Sequence, residues 1–285
     1  MTDVGRHPNI TLLTMSEVTK IEGYVGNYKV TVHRKARLVN EKECTACGDC
    51  AKVCPVFIPD EFNIGLSSRK AIYIPFPQAV PASYLIDQEN CLGKDPIICG
   101  KCIEACEKGC IDFNMEDEDL KFTVGTIIVA NGMEVFDPRK LDEYGYTRYE
   151  NVITSLEFER LINASGPTKG KLVRITDKKV PNSVAFIQCV GSRTLRRGEP
   201  YCSNICCMNT IKDTLIIKEH YPDIDIKVFF LDIRASGKGF EDLFRRSKAL
   251  GVRYIRGLPG QILENATTRS LIINVENTST NKLEK

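Results

Sequence analysis

The sequence predicts a mixed α/β protein that carries a cysteine-rich α+β insert. Three observations support this fold class. From about residue 180 onward, strand and helix patterns alternate, which is typical of parallel β-α-β units. β-branched strand patterns occur before residue 36, and nine of the thirteen cysteines lie between Cys44 and Cys110.

Length and composition predict about two domains in a chain of 285 residues, 42% of which are hydrophobic. The 39 basic and 37 acidic residues leave a net charge of +2, so we expect no nucleic acid and no anionic membrane as a partner. No apolar signal region occurs at the N-terminus, and no apolar stretch approaches the roughly 18 residues of a membrane span. We therefore expect a soluble cytoplasmic protein with reduced cysteines.

The segments on both sides of the cysteine-rich insert are predicted to contain strands. Residues 10–32 have alternating, β-branched patterns around Gly23 and Gly26, which indicate strands joined by turns. Within the insert, residues 57–81 contain four prolines and are predicted to be loop. After the insert, residues 121–132 form an apolar run that predicts a buried strand ending at a glycine.

The first cysteine motif predicts an iron-sulfur site. Its sequence, Cys44-Thr-Ala-Cys47-Gly-Asp-Cys50-Ala-Lys-Val-Cys54-Pro55, is the C-x2-C-x2-C-x3-C-P pattern of bacterial ferredoxins. A [4Fe–4S] cluster needs four thiolates and a short loop whose N–H groups can donate to the sulfurs. The pattern therefore indicates a protein that carries electrons.

A second cysteine set follows with irregular spacing. Cys99, Cys102 and Cys106 repeat the core of the pattern, and Cys91 is the upstream member although seven residues separate it from Cys99. Crossed ligation, as in two-cluster ferredoxins, exchanges the last cysteine of each motif between the clusters. The predicted ligands are Cys44, Cys47, Cys50 and Cys106 for one cluster, and Cys54, Cys91, Cys99 and Cys102 for the other.

This assignment leaves one cysteine over and has one alternative. Cys110 has no place in either set, and we interpret it as a buried small hydrophobic residue, which is common for free cysteine. Structural zinc is the alternative, because C-x2-C pairs also build zinc sites. Zinc needs only two pairs of ligands, whereas this motif recurs with a further cysteine three residues on.

The C-terminal part predicts a parallel sheet. Strands are predicted at 184–188, 226–232, 252–255 and 271–275, and helices at 204–221 and 240–250. A dinucleotide site would need a G-x-G-x-x-G fingerprint after the first of these strands, and none occurs in the chain. The nearest approach, Gly237-Lys-Gly239, lacks the third glycine and is interpreted as a plain strand-to-helix loop.

Four further cysteines lie where that fingerprint would be expected. Cys189 follows the first predicted strand, and Cys202, Cys206 and Cys207 lie at the start of the next helix. Ligands bind at this end of the strands in open α/β sheets, so the four side chains can converge. Spacing alone leaves open a third cluster, a redox-active dithiol at a helix N-terminus, and scattered core cysteines.

Several motifs together resemble the A subunit of the archaeal heterodisulfide reductases. They are residues 7–14 and 23–32, the cysteine-rich insert, Cys189-Val-Gly-Ser-Arg193, Tyr201-Cys-Ser-Asn-Ile-Cys-Cys-Met208, Asp232-Ile-Arg-Ala235 and Gly237-Lys-Gly-Phe-Glu241. The likeness covers nearly the whole chain. It implies part of an α/β thioredoxin-reductase-like flavoprotein fold with an inserted α+β two-cluster ferredoxin domain.

The resemblance also implies domain boundaries. Residues 1–35 would be partial FAD-domain strands, and 36–115 the ferredoxin-type insert with two [4Fe–4S] clusters. Residues 116–178 would be partial FAD domain and linker, and 179–285 a pyridine-nucleotide-domain-like α/β unit that carries a third cluster.

Individual residues acquire roles through the same resemblance. Cys189, Cys202, Cys206 and Cys207 match the four cysteine ligands of the third [4Fe–4S] cluster. Lys212 matches a family lysine beside the flavin ring, and Ala130 and Gly132 belong to the segment that looks like part of the FAD domain. No general acid or base is expected.

Family members carry a G-x-G-x-x-G unit and further FAD-domain and ferredoxin segments that this sequence lacks. We therefore expect the middle piece of a split or truncated subunit, which is catalytically incomplete alone and shares FAD with a partner polypeptide supplying the missing FAD-binding halves. The resemblance implies flavin-based bifurcation in methanogenesis, with electrons passing to ferredoxin and to the mixed disulfide of coenzymes M and B. Other implied partners are the B and C subunits of heterodisulfide reductase and the small subunit of hydrogenase or formate dehydrogenase.

Two other classes of function remain open from the sequence. One is an electron-relay subunit of another sulfur-metabolism oxidoreductase, which would share all three clusters. The other is a non-redox fragment stabilised by metal, such as zinc. Metal analysis distinguishes the second class from the rest.

Overall fold

The computed structural model describes residues 2–93 and 98–284. The chain forms two compact units, residues 1–132 and residues 133–285. The mixed α/β class predicted from the sequence is confirmed. The four predicted domain segments are a finer division than these two units and stay a prediction.

The first unit contains short helices and mostly antiparallel strands. Its helices are α1 (Thr2–Arg6), α2 (Asp49–Val53) and α3 (Lys101–Glu104), and its strands are β1 (Ser16–Tyr24), β2 (Asn27–Arg34), β3 (Phe57–Pro59), β4 (Ser68–Lys70), β5 (Ile72–Tyr73), β6 (Leu85–Ile86) and β7 (Glu118–Val124). An antiparallel sheet has the order β1-β2-β7, while β3 pairs with β4 and β5 with β6. In β2, alternate residues Val30 and Val32 are buried, as expected of a strand with one covered face.

The predicted turn between the first strands is confirmed. Strand β1 pairs with β2 in an antiparallel hairpin in which Tyr24 lies opposite Asn27. Gly23 and Gly26 have φ values of 101° and 93°, a region that side chains disfavour. The prediction was wrong at the start, because residues 10–14 are not a strand and β1 begins at Ser16. Ile10 and Leu12 are both more than 40% exposed, so this run has no covered face.

The cysteine-rich segment has a hydrophobic core of its own. Val39 and Ile111 form an isolated antiparallel bridge, which brings the two ends of the segment together. Leu38, Ile72 and Ile86 are nearly fully buried in this core. Residues 57–81 are mainly loop, as predicted, except that β3, β4 and part of the β5-β6 pair form within them.

The strand predicted for residues 121–132 is only partly present. Strand β7 starts earlier and ends at Val124, and residues 125–132 have no regular structure. Ile128 and Val129 are 88% and 78% exposed. An extended segment needs a neighbouring strand to pair its backbone groups, and no described residue pairs with this segment. The apolar pattern alone therefore gave the wrong boundary.

The second unit is built on a parallel sheet. Its helices are α4 (Ser155–Ile162), α5 (Cys206–His220) and α6 (Phe240–Ala249), its strands are β8 (Ser183–Ile187), β9 (Asp225–Phe230), β10 (Arg253–Arg256), β11 (Pro259–Glu264), β12 (Leu271–Asn277) and β13 (Lys282–Glu284), and two 3₁₀ turns span Pro138–Lys140 and Asp142–Tyr144. The sheet order β10-β9-β8 is parallel, with α5 and α6 as the crossovers. The predicted β-α-β units are confirmed.

The core of the second unit lies against this sheet. Ile226 and Val228 of β9 are fully buried and pack with Ile217 of α5. Strands β11, β12 and β13 form a separate antiparallel sheet, of which the sequence predicted only the middle strand. Among the described residues, no helix has the length and apolar character needed to cross a bilayer.

Candidate metal centres

The first cysteine motif folds as a loop around a short helix. Gly48 adopts a left-handed conformation with φ 90° and caps the start of α2, which carries Cys50. The helix ends at Cys54, whose extended backbone leads into Pro55. A proline cannot continue a helix, so the chain turns away at this point. The local sequence therefore places Cys50 and Cys54 on opposite ends of one helical turn.

The first cavity collects the cysteines that crossed ligation predicts for one cluster. Its walls contain Cys44, Cys47 and Cys50 from the first motif and Cys106 from the second. Cys110 also lines this cavity, which the sequence did not indicate. The structure therefore brings five sulfur-bearing side chains to one place.

Hydrogen-bond donors surround the sulfur atom of Cys106. The backbone N–H groups of Cys110, Lys108 and Gly109 donate to it, as does the Cys110 thiol. Burial opposes the Cys106 thiolate, but these hydrogen bonds outweigh burial and lower the pKa below the usual thiol value. N–H groups directed at thiolate sulfur are what iron-sulfur ligands require around them.

Burial has the opposite effect on Cys50. It raises the pKa of this thiol to about 12, even though the backbone N–H of Ala51 donates to the sulfur. The negative charges of Cys44 and Cys47 raise the pKa further. Clustered thiolates in a buried site repel each other unless cations neutralise them. Iron would supply that positive charge.

The second cavity collects the other predicted set. Cys54, Cys91, Cys99 and Cys102 all line it, together with apolar side chains that include Ile72 and Ile86. Residues 94–97, within the seven-residue spacer between Cys91 and Cys99, lie outside the described residues. The irregular spacing therefore does not prevent these two cysteines from facing the same cavity.

The thiols of the second set have a similar environment. Burial, and then the charge of Cys91, raises the pKa of Cys102 to about 11. The backbone N–H of Gly93 donates to Cys91 Sγ at 3.4 Å. Each set therefore combines buried sulfur with backbone donors, which fits a [4Fe–4S] cluster chemically.

The third set converges at the carboxyl end of β8. Cys189 follows this strand in a left-handed conformation with φ 58°, and Gly191 with φ 71° continues the turn. Cys206 and Cys207 are the first residues of α5. The Cys207 thiol donates to the backbone oxygen of Asp232 at 3.8 Å, which places it at the end of β9.

The thiols of this third set contact one another. Cys189 and Cys207 both donate to the sulfur of Cys206, and these bonds lower the pKa of Cys206 to about 2. The same contacts raise the pKa values of Cys189 and Cys207. Cys202 is less buried, and the backbone N–H of Asn204 donates to its Sγ at 3.4 Å. The structure therefore brings together all four predicted cysteines.

Two buried polar residues near the third set were missed by sequence reasoning. Gln188 precedes Cys189 and is only 1% exposed, and neither atom of its amide finds a hydrogen-bond partner among the described residues. Asp213 lies on the buried face of α5 with Thr210 and Ile217. The helical spacing of that buried face was the available signal for Asp213.

The residues predicted to lie beside flavin are placed differently. Lys212 is half-exposed and pairs with Glu159 at 2.7 Å and with Asp213 at 3.3 Å. Ala130 and Gly132 are exposed in the irregular segment that follows β7. Lys212 lies in the second unit, and Ala130 and Gly132 lie in the first. A role of these three residues in FAD binding stays a prediction.

No group of three or more Cys, His, Asp or Glu side chains in residues 2–93 and 98–284 is arranged to hold a metal ion as the side chains stand. Zinc at about 2.3 Å from each thiolate would draw four sulfurs to within about 4 Å of one another. A four-iron cluster is larger and holds its thiolates farther apart. The ligand assignment of all twelve cysteines stays a prediction.

Comparison with known proteins identifies relatives along nearly the whole chain. An iron-sulfur A subunit (A 2) of the CoB–CoM heterodisulfide reductase of Methanopyrus kandleri is 52% identical over 279 residues, 98% of this chain and 42% of the relative. The corresponding iron-sulfur A subunit of Methanocaldococcus jannaschii is 48% identical over the same coverage. This chain is homologous to the A subunit of heterodisulfide reductase. The resemblance noted in the sequence is confirmed.

A third relative has a longer name. The H2:CoB–CoM heterodisulfide,ferredoxin reductase A subunit of Methanothermobacter thermautotrophicus is 49% identical over 266 residues, 93% of this chain and 40% of the relative. The chain thus spans about two fifths of the length of these relatives, which are oxidoreductase subunits by name. Protein-family models gave no match.

Proposed function

We propose that this chain is the electron-transferring iron-sulfur part of a heterodisulfide reductase complex. The main observation is that two cavities are each lined by one of the cysteine sets that crossed ligation predicts. The identity of 48–52% to the A subunits of heterodisulfide reductases supports the same function. A [4Fe–4S] cluster supplies one-electron transfer when bound at such a site.

The ligands proposed for each cluster follow from the two cavities. Cys44, Cys47, Cys50 and Cys106 would hold one cluster, and Cys54, Cys91, Cys99 and Cys102 the second. The short helix α2 ends between Cys50 and Cys54, so adjacent cysteines of one motif face different cavities. The side chains of Ile72 and Ile86 limit access of water to the second cavity.

The third cluster is proposed at the end of the parallel sheet. Cys189, Cys202, Cys206 and Cys207 would hold it, and their mutual contacts support a common ligand. The unpartnered amide of Gln188 lies next in sequence to one of these ligands and could donate to a bound group. A dithiol pair remains the competing interpretation of this site, because the same thiols touch in the structure.

We propose that the second unit and the sheet of the first belong to a thioredoxin-reductase-like flavoprotein arrangement. FAD would be shared with a partner polypeptide, since the sequence contains no G-x-G-x-x-G phosphate loop. Lys212 is the residue of this chain proposed to lie near the flavin ring. Its ion pairs with Glu159 and Asp213 keep its ammonium charged and fixed on α5.

The complex would divide electron pairs between two acceptors. By analogy with the named relatives, these are ferredoxin and the CoM–CoB heterodisulfide, with electrons from hydrogen or formate. The proposed partners are the B and C subunits and the small subunit of hydrogenase or formate dehydrogenase. A relay role in another sulfur-metabolism oxidoreductase would use the same twelve cysteines and differ only in partners.

Metal analysis of anaerobically purified protein tests this proposal. We expect about twelve irons with matching sulfide and no zinc per chain, because three four-iron clusters are proposed. Two or three zinc ions per chain in place of iron would exclude the electron-transfer function. Coexpression with neighbouring genes, followed by a flavin assay, tests the shared FAD site. A purified complex free of flavin would contradict that part.

A further inference from the structure

A tight turn brings a fifth cysteine to the first cavity. The backbone N–H of Gly109 donates to the carbonyl oxygen of Cys106 at 2.9 Å, and Gly109 has a φ of 60°. Glycine adopts this left-handed conformation without steric cost. The turn reverses the chain between Cys106 and Cys110, so both side chains face the same space.

Cys110 is held firmly in this position. Its backbone oxygen accepts a hydrogen bond from Asn40 at 2.7 Å, and the adjacent Ile111 bridges to Val39. The side chain is 5% exposed. Its Sγ atom lies 3.4 Å from Cys106 Sγ and within hydrogen-bonding reach of Cys44. A buried thiol so placed is part of the cysteine lining of the cavity, not a separate core residue.

Five cysteines therefore surround a site for which four ligands suffice. The sequence-based interpretation of Cys110 as a small hydrophobic residue explains its burial but not its contact with a ligand. Cys106 is the more accessible of the two and lies on the segment that reaches the site from the second motif. The two sulfurs are close enough for one iron atom to be transferred between them with little movement of the backbone.

We propose that Cys110 is a reserve ligand of the first cluster, able to replace Cys106. In the exchange, the iron–sulfur bond to Cys106 breaks and a bond to the Cys110 sulfur forms. The Cys110 thiol proton passes to the released Cys106 thiolate across the 3.4 Å contact. No electron is gained or lost. The inference rests on the proposed function, because it requires an iron-sulfur cluster at this site.

Alanine variants of the full chain test the proposal. Alanine is preferred to serine, because a serine oxygen can itself bind iron. C106A should retain the full iron content, about twelve atoms, whereas C106A/C110A should lose about four. C110A should also retain full iron, because Cys106 remains. C47A is the matched control: it removes a ligand of the same cavity, and no contact between Cys47 and Cys110 is described, so it should lose about four irons.

The outcomes distinguish this inference from the proposed function. Wild-type protein without iron contradicts the proposed function itself. Iron-loaded wild type, with C106A losing the same four irons as the double variant, overturns the reserve-ligand inference alone. A C110A variant that loses four irons while C106A keeps them would make Cys110 the primary ligand and overturn it as well.

A second measurement covers the case in which C106A loses all three clusters by misfolding. With Cys106 intact, C110A should release the four irons of the first site to a chelator severalfold faster than wild type, because no second sulfur recaptures the iron. The other eight irons should leave at wild-type rates. Equal release rates from the first site in C110A and wild type would overturn the inference.

Discussion

The Lys70 ammonium donates a hydrogen bond to the backbone carbonyl oxygen of Cys54 at 2.6 Å. The same nitrogen lies 3.3 Å from the centre of the Phe57 ring. Lys70 is therefore fixed beside a proposed ligand of the second cluster. A cation in this position favours the more negative, reduced form of a bound cluster.

Removing this charge should lower the midpoint potential of the second cluster. For K70M we expect a decrease of some tens of millivolts, since about 1 kcal/mol corresponds to about 40 mV for one electron. Potentiometric titration followed by electron paramagnetic resonance measures the shift. K20M, which removes an exposed lysine of β1 that lines neither cavity, is the control. An unchanged potential in K70M would contradict the expected electrostatic effect.

Crossed ligation predicts how iron losses combine. C50A and C54A change cysteines four positions apart that line different cavities. Each should lose about four irons, and the double variant C50A/C54A about eight. C54A/C102A should lose no more than C54A alone, because both residues line one cavity. If C50A/C54A lost only four irons, the crossed assignment would be wrong.

The third site should be lost independently of the other two. C206S removes the residue that receives hydrogen bonds from Cys189 and Cys207, so we expect loss of one cluster signal and retention of two. S203A is the control, because it keeps all four cysteines. Iron content and low-temperature spectra provide the measurement. Survival of all three signals in C206S would refute the third-site assignment.

Asp213 should make stability depend on pH. Burial raises its pKa to about 7 and outweighs the attraction of Lys212 at 3.3 Å. Because this native-state pKa lies above the unfolded value of about 4, the folded chain binds more protons between these pH values. The free energy of unfolding should therefore fall as pH rises from about 4 to about 7, by up to roughly 4 kcal/mol.

D213N should weaken that pH dependence. Asparagine fills the same volume without ionising, so the difference between the urea midpoints at pH 5 and pH 8 should shrink relative to wild type. Exposed Asp242 provides the control, D242N, which should leave the difference unchanged. An identical pH profile in D213N and wild type would show that another group is responsible.

Helix α4 begins with a reciprocal cap. The Thr154 hydroxyl accepts a hydrogen bond from the Glu157 backbone at 3.2 Å, and the Glu157 carboxylate accepts one from the Thr154 backbone at 2.6 Å. T154A should reduce the free energy of unfolding by about 1 kcal/mol, and T154S by much less. Urea unfolding of both variants measures the effect. Equal losses in T154A and T154S would argue against the cap.

Part of the fold and of the site could be predicted from local sequence. Helix α5 and the parallel strands follow from apolar periodicity, and the motif around Cys50 follows from cysteine spacing and Pro55. These features depend on residues close together in the chain. The apolar run through Ile128 misled the prediction, because a strand forms only where a distant segment pairs with it.

The sequence by itself determined which residues carry the chemistry, because ligand type and spacing are local properties. Only the tertiary structure decided that Cys110 joins the first cavity and that Asp213 is buried. Each depends on where a turn or a helix face meets distant parts of the chain. The turn at Gly109 and the packing of α5 set these positions, and both are long-range outcomes of folding.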